Sequence, residues 1–236
     1  VEGKVDPVRD LQIISEELKQ KDIEWMTKLK ADLEKKCVCE PRKYKDELAL
    51  CTKVLDFLQN DPRPVRAADW SQVEIEYIES LNILTAKPTI YLLNMEEKSY
   101  ISKKNKWLGP VAQWIKNFSN EPIIPVSAVF EHELEDMGPE AAANVLKEKG
   151  IKSAIPRIIQ TGFHDLGLIN FFTCGPDEVR GWTVRDGATA PIAGGVIHSD
   201  FLDYFIKAQV YHYSDLHELG SESAVKAAGK MRTDSK

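Results

Sequence analysis

The sequence predicts an α/β domain that is interrupted by a helical hairpin and followed by a small α+β module. Two short apolar runs, residues 89–93 and 123–126, end in polar residues and flank a helical pattern, which is typical of parallel strands. Two amphipathic helical stretches precede these runs. After Leu168 turn residues become frequent, which indicates a separate module.

Composition and charge exclude several classes of protein. The chain of 236 residues is 43% hydrophobic, which is sufficient for a real core, and its formal net charge is −6. This net charge argues against a largely basic surface that binds nucleic acid, although a local basic patch is compatible with it. No apolar run approaches the roughly eighteen residues of a membrane span, and the polar amino terminus does not resemble a signal peptide. We therefore expect no membrane association.

The cysteines and histidines predict neither a disulfide framework nor a metal site. Four cysteines without framework spacing indicate a reduced, cytoplasmic protein. Cys37 and Cys39 lack the usual two-residue spacing of a zinc site, so a plain loop is the favoured interpretation. The five histidines are scattered, and only His198, beside a glycine pair, is of interest.

The two amphipathic stretches predict an antiparallel helical hairpin with residues 37–45 as its connection. Asp6 is a candidate N-cap and Pro7 suits the first helical position. The apolar residues of the first helix follow heptad-like spacings: Leu11, Ile14, Leu18, Trp25, Leu29 and Leu33. Those of the second helix are Leu48, Cys51, Leu55 and Leu58. We assign residues 21–63 to an inserted arm, and residues 1–20 and 64–166 to the α/β domain.

Helical patterns surround the two predicted strands. A helix from Asp69, a possible N-cap, to Leu84 precedes the first strand, with an apolar stripe of Val73, Tyr77, Leu81 and Leu84. A second helix begins near Pro110 and connects the strands, with Trp107, Val111, Trp114 and Phe118 along one face. An acidic segment, residues 131–136, follows the second strand. Two further helices are expected to start near Pro139 and near Ile155.

Residues 167–236 predict the small α+β module. Strands are expected at residues 169–173, 179–184 and 205–210, and a short helix at about residue 197 with Ser199 or Asp200 as its cap. The last dozen residues are polar and contain no predicted strand to close the sheet. We therefore expect the module to be truncated or disordered at its carboxyl end. Because the chain begins at Val1 without a methionine, we also expect a segment upstream of it.

Polar residues after the two strands form the candidate site. Asn94, Met95 and Glu97 follow the first strand, and Ser127 and Ala128 follow the second. Because ligands bind at the carboxyl ends of strands in open α/β sheets, we expect these residues to line one pocket. For Asn94 the alternative is a turn residue that ends the strand, for Glu97 an acid in a helix's first turn, and for Ser127 a helix cap.

The site motifs resemble altered forms of the fourth and fifth guanine-recognition motifs of P-loop GTPases. Together with residues 1–10, 103–108 and 175–180, they make the chain similar to the Obg-like ATPase (YchF) family over essentially its whole length. The resemblance implies a partial P-loop NTPase, Rossmann-like sheet in residues 1–20 and 64–166, which is the carboxyl-terminal part of a G domain. It also implies the helical arm and a TGS-like β-grasp domain in residues 167–236.

The residue types in these motifs favour adenine over guanine. In GTPases an aspartate accepts hydrogen bonds from guanine N1–H and the exocyclic amine. This chain has Glu97 at that position, and its side chain is one methylene longer. Asn94 can donate to and accept from the adenine edge, and Met95 can lie against the purine face. Ser127 and the Ala128 N–H would close the other side. We therefore expect ATP to bind better than GTP.

The phosphate-binding motifs of the family do not occur in these 236 residues. The chain has no Gly-x-x-x-x-Gly-Lys-Ser/Thr and no Asp-x-x-Gly before Asn94. The resemblance implies that these motifs, with the ligands of Mg²⁺, lie upstream of Val1. Catalytic residues and metal ligands are accordingly not assigned here, and we expect the chain alone to be inactive.

The resemblance also implies partners and a location for the parent protein. It implies an ATP-hydrolysing, translation-associated switch that contacts the ribosome or RNA through the arm and the TGS-like domain. The cytoplasm, or also the nucleus in a eukaryote, is the expected location. The alternative is an interaction module for the ribosome, RNA or protein without catalysis of its own.

Overall fold

A computed structural model describes residues 5–175 and 178–235, in which the chain divides into two units, residues 1–161 and 162–236. Residues 1–4 and 176–177, on which part of the family resemblance rests, lie outside the described residues. The described helices do not include one with the length and hydrophobicity that crossing a bilayer requires.

Two long helices form the predicted hairpin in the first unit. α1 spans Pro7–Cys39 and α2 spans Pro41–Asn60, so Glu40 alone connects them instead of the nine residues predicted. One residue suffices because Pro41 is suited to the first helical position, where its missing N–H is not needed. Asp6 caps α1 as predicted, since its carboxylate accepts from the Arg9 N–H at 3.2 Å.

The predicted stripe of α1 is confirmed only in part. Leu33 is buried and Leu29 packs against the same core, whereas Ile14, Leu18 and Trp25 are exposed. Asp22 and Met26, which were not predicted, are also buried. α1 has 33 residues and α2 has 20, so the first turns of α1 extend beyond the end of α2. The predicted stripe of α2 is confirmed, because Cys51, Leu55 and Leu58 are buried and Leu48 packs against them.

The hairpin core extends into the segment that leads to the sheet. Val65, Ile78 and Ile83 belong to the same apolar cluster as Met26 and Leu33. The segment contains short 3-10 helices and one α-helix: Val65–Ala67, α3 at Gln72–Ser80 and Leu84–Ala86.

The start of α3 was predicted wrongly, whereas its predicted stripe is confirmed in part, since Tyr77 and Leu81 pack against the hairpin core. The helix begins after Ser71, whose N–H donates to the Glu74 carboxylate at 2.9 Å, and not after Asp69. On its predicted stripe, Val73 is exposed because the hairpin covers only the face that carries the buried Ile78.

Two parallel strands follow, as predicted. β1 (Tyr91–Asn94) pairs with β2 (Ile123–Val126). Two helices separate them, α4 (Glu97–Ser102) and α5 (Leu108–Phe118). Three helices follow β2: α6 (Ala128–Met137), α7 (Pro139–Lys149) and α8 (Ile155–Asp165). The acidic segment 131–136 is therefore part of α6, where Glu131 accepts from the Ser153 hydroxyl and the Ala154 N–H, each at 2.6 Å.

The second unit contains two antiparallel strand pairs and four helices among its described residues. β3 (Leu168–Cys174) pairs with β4 (Val179–Arg185), and β5 (Lys207–Val210) pairs with β6 (Arg232–Ser235). The helices are α9 (Ala190–Ile197), α10 (Ser199–Asp203), α11 (Tyr213–Leu219) and α12 (Glu222–Ala227).

Two predictions for the second unit were wrong. A strand does form among the last dozen residues, because the polar stretch Arg232–Ser235 supplies the partner of β5. Backbone pairing needs no apolar side chains, so the polar sequence gave no signal. The cap of α10 is His198, whose Nδ1 accepts from the Asp200 N–H at 3.2 Å, and not Ser199 or Asp200.

Candidate nucleotide-base site

The parallel pairing of β1 and β2 brings the two predicted motifs to one edge of the sheet. Asn94 and Val126, the last residues of the two strands, are register partners. Beyond them the Met95 N–H donates to the Val126 carbonyl at 2.9 Å. The five predicted site residues, which lie at the end of β1 or shortly beyond the two strands, therefore start from neighbouring positions.

A hydrogen bond joins the two motifs directly. The Asn94 side-chain oxygen accepts from the Ala128 N–H at 3.0 Å. Ala128 is the first residue of α6, where backbone N–H groups lack a partner within the helix. Both residues are exposed, so the bond lies at the surface. A base that accepts a hydrogen bond from the Ala128 N–H must displace the Asn94 oxygen or share the N–H with it.

The amide nitrogen of Asn94 remains available for a ligand. Within the described residues it has no hydrogen-bond partner. A side-chain amide that accepts from one backbone group can still donate two hydrogens through its nitrogen. In this geometry Asn94 faces a ligand mainly as a donor, and a purine ring nitrogen is a suitable acceptor.

Ser127 lies beneath the surface of the site. Its side chain is fully buried, and its hydroxyl has no hydrogen-bond partner among the described residues. It occupies the N-cap position of α6 without making a side-chain capping bond. Leaving a buried hydroxyl unpaired costs about 1–3 kcal/mol, so a nearby acceptor would stabilise it.

Met95 and Glu97 lie at the start of α4. Met95 is half-buried, and Glu97 is the first helical residue after the cap Glu96. The Glu97 carboxylate accepts from the Lys149 ammonium at 2.9 Å. Lys149 is the last residue of α7. The sequence analysis did not identify it, because no motif relates two residues that are 52 positions apart.

Tyr100 and Glu131 fix the helices behind the site. The Tyr100 hydroxyl donates to the Lys152 carbonyl at 2.9 Å, and its ring centroid lies 6.0 Å from that of Phe130 in α6. Burial, and then the charge of Glu131, raise the pKa of Tyr100 above its ordinary value. These contacts link α4, α6 and the segment before α8, so the first turns of α4 and α6 are held in fixed positions.

Two other features lie apart from the predicted residues. A cavity of about 190 Å³ is lined mostly by apolar side chains of α1, β1 and α5, among them Leu11, Ile14 and Leu93. Within residues 5–175 and 178–235, no group of three or more His, Cys, Asp or Glu residues is arranged to hold a metal ion.

Comparison with known proteins gives matches over the whole chain. Residues 168–236 match the family model YchF-GTPase_C, described as a protein of unknown function (DUF933). The structure titled "Structure of the Schizosaccharomyces pombe YchF GTPase" superposes with a TM-score of 0.92 at 45% identity, and the match covers all of this chain and 64% of that one.

Curated relatives give the same result. Obg-like ATPase 1 of Oryza sativa subsp. indica is 48% identical over 237 aligned positions, which cover all of this chain and 60% of the rice protein. Obg-like ATPase 1 of Saccharomyces cerevisiae is 47% identical, and the match covers 98% of this chain and 60% of the yeast protein. The chain thus spans about 60% of the length of these relatives. It is a homologue, over its whole length, of the corresponding part of the Obg-like ATPase (YchF) proteins.

Proposed function

We propose that this chain supplies the base-recognising part of a purine-nucleotide site in an ATP-hydrolysing protein of the Obg-like type. The observation that carries the proposal is the contact between Asn94 and Ala128 at the carboxyl ends of two parallel strands. This is the place where open α/β sheets bind ligands. The relatives are named both ATPase and GTPase, so a purine nucleotide is the ligand class that their names share.

ATP is the preferred nucleotide in this proposal, and GTP binds more weakly. Asn94 offers hydrogen-bond donors to a ring nitrogen of adenine, while Met95 can pack on the purine face. Glu97 would replace the shorter aspartate that selects guanine. Ala128 would form the opposite side of the slot, with the buried Ser127 hydroxyl beneath it. Asn94, Met95, Glu97, Ser127 and Ala128 are therefore the proposed base-binding residues.

Hydrolysis belongs to the whole protein in this proposal. Magnesium with ATP is the expected cofactor, and we propose that its ligands and the catalytic groups lie elsewhere in the parent protein. The chain would contribute affinity and base selectivity, while groups elsewhere in the parent protein would act on the phosphates.

A titration of the isotope-labelled chain tests base binding. Adenosine and guanosine monophosphate differ only at the base, and binding is followed through the backbone amides of Met95 and Ala128. We expect adenosine monophosphate to shift these signals at millimolar concentration, and Asn94→Ala to weaken this binding at least about tenfold, which corresponds to roughly 1.4 kcal/mol. Asn120→Ala, which replaces another exposed asparagine, is the matched control. Identical titrations for both variants would contradict the proposal.

A second candidate function is RNA or ribosome binding by the hairpin tip. Residues 35–45 carry five basic residues against one acidic residue, although the chain as a whole has a net charge of −6. The side chains of Lys35 and Lys43 are 81% and 63% exposed. Such a cluster suits a phosphate backbone. The second unit, which we propose to be TGS-like, would provide another contact, and the parent protein would work in the cytoplasm or also in the nucleus.

Fluorescence anisotropy with a single-stranded RNA oligonucleotide tests this second function. We expect the triple variant Lys35→Gln, Arg42→Gln and Lys43→Gln to bind more weakly and to show a reduced dependence on salt concentration. A control with Lys21→Gln, Lys28→Gln and Lys116→Gln removes the same charge from exposed positions outside residues 35–45. Equal loss in both triple variants would argue against a specific role of the tip.

A further inference from the structure

Lys149 lies between the helices that follow the two strands of the candidate site. Its Nζ is 2.9 Å from the Glu97 carboxylate at the start of α4. The same Nζ is 5.7 Å from the centre of the Phe130 ring in the first turn of α6. The Asn94–Ala128 bond joins the end of β1, shortly before α4, to the first residue of α6. Lys149 is therefore placed to affect both sides of the proposed base site.

The backbone around Lys149 fixes its position. α7 ends at this residue because Gly150 adopts a left-handed conformation, with φ of +64°, that other residues rarely adopt. The Glu97 side chain is 33% exposed and that of Lys149 is 35% exposed. The ion pair is thus accessible from solvent on one side, and solvent moderates its strength.

The ion pair changes what Glu97 offers to a purine. An unpaired carboxylate can accept hydrogen bonds from the N1–H and the 2-amino group of guanine. Adenine has a lone pair at N1 instead of an N–H, and the carboxylate repels it. A carboxylate held by an ammonium has fewer lone pairs directed at a ligand and a partly neutralised charge. Pairing with Lys149 should therefore lower the affinity for guanine and reduce the repulsion of adenine.

We propose that Lys149 is a positioning residue that sets the purine preference of this site by holding the Glu97 carboxylate. This inference rests on the proposed function, because it requires that a purine binds beside Asn94. It adds a residue outside both motifs, and it assigns selectivity to the ion pair as well as to the extra methylene of Glu97.

The experiment measures dissociation constants for adenosine and guanosine monophosphate on the full 236-residue chain, through the amide signals of Met95 and Ala128. In Lys149→Met we expect the ratio of guanosine to adenosine dissociation constants to fall about twofold to fivefold, which is the range that a partly exposed ion pair supplies. Lys149→Arg should keep the ratio of the unmodified chain. Lys147→Met removes the same charge from the same helical turn and should leave the ratio unchanged.

A double variant separates positioning from a general charge effect. If Lys149 acts through Glu97, then Lys149→Met should have no effect on the ratio in a Glu97→Gln background. An unchanged ratio in Lys149→Met, with normal binding of adenosine monophosphate, overturns the Lys149 inference and leaves the proposed function standing. Failure of both nucleotides to shift any signal of the unmodified chain overturns both.

Discussion

Asp22 connects the hairpin to the segment that leads into the sheet. Its side chain is buried in α1, and its two carboxylate oxygens accept from the N–H groups of Leu84 and Thr85, each at 2.8 Å. These N–H groups begin the 3-10 helix Leu84–Ala86, where they lack partners within the helix. A carboxylate from α1 therefore acts as the cap of an element 62 residues away.

We expect Asp22→Ala to lower the free energy of unfolding by about 3 kcal/mol, because it leaves two buried N–H groups without an acceptor. Urea unfolding at neutral pH measures this difference. Asp32→Ala is the control, since Asp32 lies on the same helix with its side chain 68% exposed and should cost less than about 0.5 kcal/mol. Equal costs for the two variants would show that the carboxylate contacts are unimportant.

Tyr77 has a buried hydroxyl, and its ionisation should limit stability at high pH together with that of the neighbouring Cys51 thiol, whose pKa is also raised by burial. Burial, and then the neighbouring Cys51, raise the pKa of Tyr77 above its ordinary value. Its hydroxyl has no hydrogen-bond partner within the described part of the chain. Because the folded-state pKa is the higher one, the folded state keeps its proton while the unfolded chain loses it. The contribution of Tyr77 is therefore complete below the unfolded pKa and is lost as pH rises above it.

We therefore expect the free energy of unfolding to fall as pH rises above about 9, because the ordinary pKa of tyrosine is near 10. Tyr77→Phe should reduce this fall. At pH 7 the variant should be equal to the unmodified chain or more stable by up to about 1 kcal/mol, because it removes an unpaired buried hydroxyl. Urea unfolding at pH 7 and pH 10 gives both quantities. A parallel pH dependence in the two proteins would exclude Tyr77 as the cause.

At the scale of elements, the hairpin core lies on one face of α1. Leu33 is 1% exposed and belongs to the cluster that contains Met26, Cys51 and Leu58. Leu33→Ala should therefore destabilise the hairpin by about 2–5 kcal/mol, the usual cost of a cavity in a packed core. Leu18→Ala, at a position 41% exposed on the same helix, should cost much less.

Hydrogen exchange measured by mass spectrometry localises this effect. In Leu33→Ala we expect faster exchange in the peptides that cover the halves of α1 and α2 nearest to Glu40. The peptides of β1 and β2 should keep their protection, because their strands pair with each other and not with the hairpin. Equal loss of protection in the strands would mean that hairpin and sheet unfold as one unit.

The elements that sequence predicts well are those whose signals are local. Pro7 and Asp6 fix the start of α1, and two apolar runs fix β1 and β2. The buried face of α1 could be found in this way only in part, because it also depends on the length of α2 and on a polar residue, Asp22, within the apolar seam. β6 was missed because its polar sequence forms a strand only through pairing with β5.

In the candidate site, some features also follow from local sequence patterns, whereas others depend on contacts between distant segments. The position of Asn94 and Ala128 at one edge of the sheet follows from two strands that run parallel, which the apolar runs indicate. The mutual hydrogen bond of these residues and the pairing of Glu97 with Lys149 depend on distances between elements. Such distances are set by tertiary packing and not by the sequence pattern of either segment.

At the scale of the whole molecule, base binding and catalysis depend on different groups. The 236 residues contain no Gly-x-x-x-x-Gly-Lys-Ser/Thr sequence, and the described residues do not cluster ligands for a metal ion. Phosphoryl transfer depends on positioning and neutralising the phosphates, and a base slot contributes neither. We therefore expect no release of phosphate from ATP above background, with or without Mg²⁺, in a colorimetric assay. A longer relative such as rice Obg-like ATPase 1 serves as the parallel sample. Phosphate release that scales with chain concentration and disappears in Asn94→Ala would contradict this prediction, because it would require catalytic groups within the chain itself.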